Sequence, residues 1–305
     1  EQIEQVSLKP SVATIGFFDG VHRGHQFLFK QIKQLAETEN LSAMAITFAE
    51  HPRRVMHQAF QPQLLSTQEE KRKLLTQQPL DYLVLLHFTL EMSRLTAREF
   101  MQHVLRDQLN VKVLVIGYDH RFGHNRAEGF DDYVRYGKEL GIQVVHSEAY
   151  SIEGAKVSSS AIRALVNEGK MEHVMQCTGS HYHVKGTIVD GHKVGRKLGF
   201  PTANIRVDDA FKLMPAEGVY AVWVLLDGQR YKGMLNIGRR PTLDNGSDCS
   251  VEVYVLGFSG DVYQHTIAVE FASRLRDEQY FRSVEELTAQ LRKDAQAVES
   301  LLFLR

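Results

Sequence analysis

Two histidines that lie three residues apart follow the first apolar segment of the chain. Residues 12–15 are small or β-branched and predict a buried strand. His22 and His25 come after a loop with an Asp-Gly turn, where apolar residues at helical spacing begin. Side chains three apart on a helix point to one side, so both imidazoles can donate to one phosphate. This strand–loop–helix junction therefore predicts a nucleoside triphosphate site at a helix N-terminus.

The same loop supplies further candidate contacts to a nucleotide. Gly24 has no side chain, so an adenine or a ribose can pack against the backbone between the two histidines. A lone H-x-x-H pattern is more often a pair of exposed polar residues, but its position after a strand and a glycine-containing loop is more specific. In that setting it resembles the HxGH motif of the nucleotidyltransferase superfamily. The candidate nucleotide contacts of the loop are Gly16, Phe17, Asp19 and Gly24.

A second loop, residues 117–129, is rich in glycine, aromatic and charged residues and follows another apolar segment. Phe122 can cover an aromatic ring, and Arg121 or Arg126 can bind a phosphate. Asp119 can orient either arginine. A solvated hairpin with incidental charges is the alternative, but a position at the carboxyl end of a predicted strand favours a binding loop.

Three serines open a predicted helix at residues 157–168. Serines at a helix N-terminus usually serve as caps. Ser158, Ser159, the neighbouring backbone N–H groups and Arg163 can also form a second phosphate cradle. The residues alone leave both interpretations open.

The second half of the chain contains a stretch rich in glycine and lysine at residues 190–205. Backbone N–H groups of such a turn can hold phosphates, although a mobile surface loop is the more common alternative. Thr202 and Asn204 lie two apart on an extended segment, so their oxygens face one side and suit Mg²⁺. Glu252 alternates with the apolar residues of its strand and is either a general base or a solvated carboxylate.

The composition argues against several classes of function. The 305 residues include 36 basic and 37 acidic ones without a basic tract, so no nucleic-acid partner is expected. Cys177 and Cys249 lack the spacing of a disulfide framework or a thiolate metal site. No apolar stretch is long enough to span a bilayer and no secretion leader opens the chain, so we expect a cytoplasmic protein without a membrane partner. The oligomeric state is not predicted.

Local signals predict several element boundaries. Ser66 or Thr67, with two following glutamates, and Thr96 with Glu99 predict capped helix N-termini. Pro52 predicts a turn after the second strand. The first helix is expected to begin near residue 26, where the apolar helical spacing resumes.

The order of the predicted elements indicates an α/β fold with two domains. Five apolar segments alternate with helices, which predicts a parallel sheet with flanking helices. These segments are residues 12–15, 43–48, 81–88, 111–116 and 143–145. Beyond about residue 180, short alternating segments between glycine and proline turns predict an antiparallel barrel or sandwich, followed by a helix over residues 284–302. We expect domains at residues 1–180 and 181–305, since this length favours two cores.

Segments along nearly the whole chain, in the same order, resemble those of the bifunctional bacterial riboflavin kinases/FMN adenylyltransferases, also called FAD synthetases. GFPTAN is typical of the kinases and FDGVHRGH of the adenylyltransferases. The matching segments are GFFDGVHRGH, TFAEHPR, GYDHRFGHNR, VSSSAIR, GRKLGFPTANI, GVYAV, NIGRRPT, VEVYVLGFSGD and the final helix.

This resemblance implies a Rossmann-like nucleotidyltransferase domain followed by a riboflavin kinase β-barrel with a C-terminal helix. The barrel would phosphorylate riboflavin with ATP to give FMN, with Glu252 taking the hydroxyl proton and Thr202 and Asn204 holding Mg²⁺ and phosphate. The first domain would join FMN to AMP from a second ATP, giving FAD and pyrophosphate. His22 and His25 would stabilise the transferring phosphate.

The resemblance also implies the remaining ligand contacts. In the first domain, two loops would receive the flavin, and the serine segment would hold the triphosphate. These contacts are Phe48, His51, Pro52, Arg53, Asp119, Phe122, Asn125, Arg126, Ser158, Ser159 and Arg163. In the barrel, the contacts are Gly191, Gly195, Lys197, Gly199, Pro201 and Asn236.

The chain departs from the common family pattern at three places. Gly257 stands where Asp is common, His120 stands where Phe is usual, and residues 177–180 replace a Leu-Gly-Arg segment. None of these carries an assigned chemical role. Two alternative functions are an adenylyltransferase whose barrel only binds flavin or mediates assembly, and a flavin-binding sensor without activity. The residues His22, His25, Thr202, Asn204 and Glu252 argue against both.

Overall fold

The computed structural model describes residues 8–56, 59–117, 120–190, 199–241, 247–260 and 262–303, with only the backbone described at residues 126, 239–241 and 247–249. Contacts between residues divide the chain between Ser159 and Ser160 into two compact units. Among the described residues, no helix is long and apolar enough to cross a membrane.

The first unit is built on a five-stranded parallel sheet with the order β3-β2-β1-β4-β5. The strands are β1 Ser11–Ile15, β2 Ser42–Phe48, β3 Tyr82–Leu86, β4 Val111–Ile116 and β5 Gln143–His146. Both faces are covered, since Ala43 and Ala45 belong to one buried cluster, and Met44 and Ile46 to another. Double-sided burial explains the continuous apolar runs, and the predicted parallel sheet is confirmed.

Helices and short turns connect these strands. They are α1 Arg23–Thr38, α2 Pro52–Met56, α3 Gln68–Thr76, α4 Leu90–Arg94, α5 Ala97–Phe100 with a π-helical continuation Met101–Gln108, and α6 Phe130–Leu140. A small hairpin follows, formed by β6 Ser151–Ile152 and β7 Ala155–Lys156. The predicted capping boxes are confirmed, since Thr67 caps α3 with Glu70, and Thr96 caps α5 with Glu99.

Two predicted boundaries near the site are wrong. Helix α1 begins at Arg23, because His22 caps it by accepting a hydrogen bond from the His25 N–H. Pro52 does not end the segment in a turn but is the first residue of α2. A proline is tolerated there because the first N–H groups of a helix have no intrahelical partner.

The strand order explains where a ligand can bind in the first unit. β1 lies between β2 and β4, and both neighbours are parallel to it. The chain therefore leaves β1 and β4 in opposite directions along the sheet. At such a switch point the loops after adjacent strands diverge and leave a crevice at the carboxyl edge.

The second unit is a closed six-stranded antiparallel barrel with the order β10-β11-β12-β9-β8-β13. Its strands are β8 Tyr182–Val189, β9 Thr202–Val207, β10 Gly218–Leu226, β11 Gln229–Pro241, β12 Ser247–Val255 and β13 Thr266–Arg276. β10 pairs with both β11 and β13, so the sheet closes on itself. Of the two predicted architectures, the barrel is therefore confirmed.

Among the described residues from Ser159 onward, the helices are α7 Ser159–Asn167, α8 Met171–Thr178 and α9 Val284–Leu301. Helix α8 has no counterpart among the elements predicted from the sequence. On the outer face of the barrel, Val298 of α9 and Leu302 beyond it pack against Ala221 and Trp223. α8 contacts strands β8 and β13, so the division by contacts precedes residue 180. The functional boundary at 180/181 stays a prediction.

Candidate active sites

The two histidines of the first unit lie at the start of α1. The Nδ1 atom of His22 accepts a hydrogen bond from the backbone N–H of His25 at 3.3 Å. Their rings are stacked, with centroids 3.6 Å apart and planes 19° from parallel. The capping hydrogen bond turns His22 back over the first helical turn, so both imidazoles lie at the N-terminal end of the helix.

The His25 ring has an electrostatic environment that suits an anionic ligand. Its Nδ1 atom is buried without a hydrogen-bond partner among the described residues. Burial holds the pKa of His25 well below its usual 6.5, and the nearby His22 and His120 lower it further. The ring is therefore neutral near pH 7. A buried ring nitrogen without a protein partner is rare and indicates a position that a ligand can fill.

Close backbone approach connects this loop with the serine segment. A Cβ atom at Gly24 would lie 3.1 Å from the carbonyl oxygen of Val157, tighter than most real contacts. The Ser159 hydroxyl donates to the carbonyl oxygen of Asp19 at 3.1 Å. The structure thus brings Ser159 to the histidine loop. Arg163 lies on α7 in the second unit, and its assigned role stays a prediction, as does that of Ser158.

Asp19 has a structural role that the sequence analysis did not recognise. Its buried carboxylate accepts hydrogen bonds from the Leu65 and Ser66 N–H groups, both at 3.0 Å. The Ser66 hydroxyl donates to it as well, at 3.1 Å. These bonds tie the histidine loop to the segment before α3. The carboxylate therefore fixes the loop, and a direct contact with a nucleotide stays a prediction.

A cavity of about 460 Å³ opens at the carboxyl edge of the sheet in the first unit. Its size and apolar lining suit a ligand with a fused aromatic ring system. The predicted residues that line it are Phe17, Phe48, His51, Pro52, Arg53, Phe122 and Asn125. His120, one of the departures from the family pattern, lines it too, whereas Asp119 and the side chain of Arg126 lie outside the described residues.

One wall of this cavity was missed by the sequence analysis. Phe88, Met92, Leu95 and Phe100 line it, and they come from the segment after β3. Their apolar spacing alone indicates helix packing. The available signal was their position after a third parallel strand, because its carboxyl end lies at the same edge of the sheet.

The second unit brings together the residues predicted for phosphate transfer. The Thr202 hydroxyl donates to Oε2 of Glu252 at 3.3 Å. Asn204 lies directly opposite Glu252 in the antiparallel register of β9 and β12. Glu252 lies between the buried Val251 and Val253, which face the other side of the strand. A hydroxyl, an amide and a carboxylate therefore share one outer patch of the barrel.

Two cavities of the barrel meet at Thr202. One, of about 270 Å³, is lined by Pro201, Thr202 and Asn204 together with Phe258 and Tyr263. The other, of about 280 Å³, is lined by Thr202 and Glu252, and also by Asn236. Thr202 is therefore placed between two ligand-sized spaces. Gly191, Gly195 and Lys197 lie outside the described residues, and Gly199 precedes this patch in a turn with φ of 81°.

The second barrel cavity has a wall that the sequence analysis did not predict. Glu278 lines it and accepts a hydrogen bond from the Asn236 amide at 3.0 Å. Arg276 lines it too and forms a nearly buried ion pair with Asp294 of α9, at 2.8 Å. This pair fixes the end of β13 against α9. Helix α9 thus helps to shape the cavity, which its apolar periodicity did not indicate.

The oxygen donors suit a hard cation carried by a nucleotide. Within the described part of the chain, no group of three His, Cys, Asp or Glu side chains could hold a metal. The hydroxyl of Thr202 and the amide oxygen of Asn204 are oxygen ligands of the kind that Mg²⁺ accepts. Mg²⁺ often takes only one or two protein ligands and completes its shell with phosphates and water. The residues present therefore fit Mg²⁺ bound with ATP.

Comparisons with known proteins identify both units. The family model described as FAD synthetase matches residues 4–161, and the model described as riboflavin kinase matches residues 178–302. A bifunctional riboflavin kinase/FMN adenylyltransferase from Listeria monocytogenes is 35% identical, over 93% of this chain and 90% of that protein. The protein of the same description from Escherichia coli K12 is 33% identical, over 96% and 93%.

One solved structure has the same fold as this chain over nearly the whole length of both. It comes from Streptococcus pneumoniae, is described as a macrolide-efflux protein, and is 30% identical. The match covers 95% of this chain and 94% of that one, with a TM-score of 0.85. Family models for both catalytic halves match this chain, which favours the bifunctional enzyme over the single-activity and sensor alternatives. The chain belongs to the bifunctional riboflavin kinase/FMN adenylyltransferase family: it phosphorylates riboflavin to FMN with ATP and adenylylates FMN to FAD.

Proposed function

We propose that the two barrel cavities that meet at Thr202 are the two substrate sites of the kinase reaction. ATP occupies the cavity lined by Pro201 and Asn204, and riboflavin occupies the cavity lined by Glu252 and Asn236. The observation that carries this proposal is that Thr202 lines both cavities and is hydrogen-bonded to Glu252 at 3.3 Å. The γ-phosphate then meets the ribityl 5′-hydroxyl beside the carboxylate.

In this arrangement Glu252 is the general base. Its carboxylate accepts the proton of the 5′-hydroxyl as the oxygen attacks the γ-phosphorus, and ADP leaves. Thr202 holds the carboxylate by its hydrogen bond and, with Asn204, supplies oxygen ligands for Mg²⁺. When bound, Mg²⁺ neutralises phosphate charge. Two free substrates would lose translational and rotational entropy on meeting. Binding in adjacent cavities accounts for this cost before the reaction step.

The adenylyltransferase reaction takes place at the start of α1. There a phosphate oxygen of FMN attacks the α-phosphorus of ATP, and pyrophosphate leaves. His22, His25 and the N–H groups of the first helical turn donate to phosphate oxygens as negative charge develops on them. His25 is well suited to this role because its Nδ1 atom is buried and its neutral ring can donate one hydrogen bond.

The cavity of about 460 Å³ holds the isoalloxazine ring of FMN. Phe17 and His51 line one part of it, and Phe122 and Asn125 line another.

The functional domains are residues 1–180 and 181–305. The compartment is the cytoplasm, because both reactions consume ATP and the cysteines show no disulfide pattern.

Metal titration with a matched pair of variants tests the metal-binding part of this proposal. Thr202→Val removes the hydroxyl, and we expect it to raise the Mg²⁺ concentration that half-saturates FMN formation by about tenfold or more. FAD formation from supplied FMN is expected to keep its Mg²⁺ dependence. The control is Thr187→Val, since the Thr187 hydroxyl makes a similar hydrogen bond to Asp208 at 3.2 Å on the same barrel. An unchanged Mg²⁺ dependence in Thr202→Val would show that Thr202 is not a ligand.

A further inference from the structure

Lys71 on α3 is a buried cation that none of the assigned roles uses. The residue is 2% exposed, and its Nζ atom donates to the carbonyl oxygen of Phe48 at 2.9 Å. Nζ also lies 3.8 Å from the centroid of the Phe17 ring, within the range of a cation–π contact. The ammonium group therefore joins the residue that ends β2 to the ring of a residue just after β1.

Both partners of Lys71 line the cavity assigned to the flavin. Phe17 and Phe48 form part of its wall, whereas Lys71 lies behind them and does not line it. The Phe17 ring also packs edge-on against His51, with centroids 4.7 Å apart, and His51 lines the cavity as well. A connected row of contacts thus runs from the ammonium group through Phe17 to His51.

Burial of this charge has a cost that an apolar residue would avoid. Burial lowers the pKa of Lys71 from 10.5 to about 8, while the carboxylate of Asp19 opposes the decrease. The ammonium form still predominates near neutral pH. The contacts with a carbonyl oxygen and a ring replace only part of the hydration that the ammonium group loses on burial. Fold stability alone therefore does not explain why a lysine stands at this position.

We propose that Lys71 is a positioning residue for FMN binding in the adenylyltransferase site. Its ammonium group fixes the Phe17 ring and the carboxyl end of β2, so that the wall formed by Phe17, Phe48 and His51 keeps the shape that the isoalloxazine ring needs. The proposal rests on the assignment of this cavity to FMN.

The test compares Lys71→Met with Lys73→Met, which removes the same charge at an exposed position of the same helix. We expect Lys71→Met to raise KM for FMN in FAD synthesis about tenfold over the Lys73→Met value. KM for ATP in that reaction and the constants of FMN formation from riboflavin are expected to stay within about twofold. Equal KM values for FMN in the two variants, or parallel rises in KM for FMN and for ATP, would overturn the proposal.

A second pair of variants shows whether Lys71 acts through Phe17. Phe17→Leu keeps the lysine and removes the ring that it contacts. In that background, Lys71→Met should change KM for FMN much less than in the wild-type protein, because coupled residues are not additive. Additive effects would mean that Lys71 does not position Phe17. Should Lys71→Met fail to fold, Lys71→Gln, which keeps a donor for Phe48 without the charge, is put through the same comparisons.

A variant in the part of the cavity lining that follows β3 separates this proposal from the assignment of the cavity. Met92→Ala removes an apolar side chain that lines the cavity. If Met92→Ala leaves KM for FMN unchanged, the cavity is not the FMN site and the proposed function fails at this point. If Met92→Ala raises KM for FMN and Lys71→Met does not, only the role of Lys71 is wrong.

Discussion

The rings of Tyr133 and Phe122 are stacked, with centroids 4.3 Å apart and planes 12° from parallel. The Tyr133 hydroxyl also accepts a hydrogen bond from the Phe122 N–H at 3.0 Å. Its own proton lies within reach of the carbonyl oxygens of Phe122 and Glu128, at 3.1 Å and 3.0 Å. A fully buried tyrosine of α6 therefore fixes, by ring and by hydroxyl, the loop that lines the flavin cavity.

Tyr133→Phe should weaken FMN binding in FAD synthesis without changing the rate of FMN formation from riboflavin. The ring stack remains, but the Phe122 N–H loses its partner, which costs about 1–3 kcal/mol of stability in the first unit. We expect a higher KM for FMN in FAD synthesis and a lower midpoint of unfolding. Tyr136→Phe on the same helix is the control, because the Tyr136 hydroxyl accepts a hydrogen bond from the exposed guanidinium of Arg135 at 3.4 Å and does not bond to the cavity loop in the described structure. Equal effects of the two substitutions would argue against the role of the Tyr133 hydroxyl.

Glu252→Gln should nearly abolish FMN formation and leave FAD synthesis from supplied FMN intact. An amide keeps the size of the side chain and its contact with Thr202 but cannot accept the hydroxyl proton, which lowers kcat by about 10²–10⁴-fold. The rates of the two half-reactions, measured separately, check this. Glu270→Gln on β13, whose carboxylate pairs with Arg230 at 2.8 Å, is the control. If both reactions slow equally in Glu252→Gln, the assignment of the kinase reaction to the second unit and of adenylyl transfer to the first unit is wrong.

His25→Ala should have the reverse effect. The loss of one donor to the developing charge lowers the rate of FAD synthesis by about 10²–10³-fold, or about 3–4 kcal/mol of barrier. FMN formation from riboflavin should stay unchanged. His103→Ala, at an exposed position of the same unit, is the control. A kinase defect in His25→Ala would contradict the assignment of the histidines to adenylyl transfer.

The pKa of Lys71 predicts a stability difference that depends on pH. Below about pH 8, both the folded and the unfolded chain carry the proton. Between about 8 and 10.5, the unfolded chain binds more protons, so the free energy of unfolding rises with pH. Relative to Lys71→Met, the wild-type protein should therefore gain on the order of 2 kcal/mol between pH 8 and pH 10. Chemical unfolding of the first unit at several pH values measures the gain, and Lys73→Met should not reproduce the difference.

Local sequence signals predicted most of the fold. Continuous apolar runs that alternate with helices along the chain predicted the parallel sheet, because strands covered on both faces need apolar residues at every position. Period-two patterns such as that of Val251, Val253 and Val255 predicted an antiparallel barrel or sandwich, and the family resemblance implied the barrel. The caps of α3 and α5 were predictable, because a capping box is made within four consecutive residues. The family resemblance also rested on short contiguous segments.

Contacts between distant parts of the chain were not predictable in this way. The carboxylate of Asp19 bonds to residues 65 and 66, and the ammonium group of Lys71 reaches Phe17 and Phe48. Met92 and Phe100 have the spacing of ordinary helix packing, yet they form a cavity wall. Spacing along one helix or strand shows which residues share a face, but not what that face meets.

The sequence by itself therefore determined the fold class, the order of the main strands and the short motifs that carry the chemistry, because these depend on neighbours in the chain. Only the tertiary structure decided that Thr202 lies between two cavities and that Lys71 supports the wall of a third. The physical reason is that a cavity forms where loops from separate strands pack around a space. Its shape depends on side-chain contacts across tens of residues, which no local periodicity encodes.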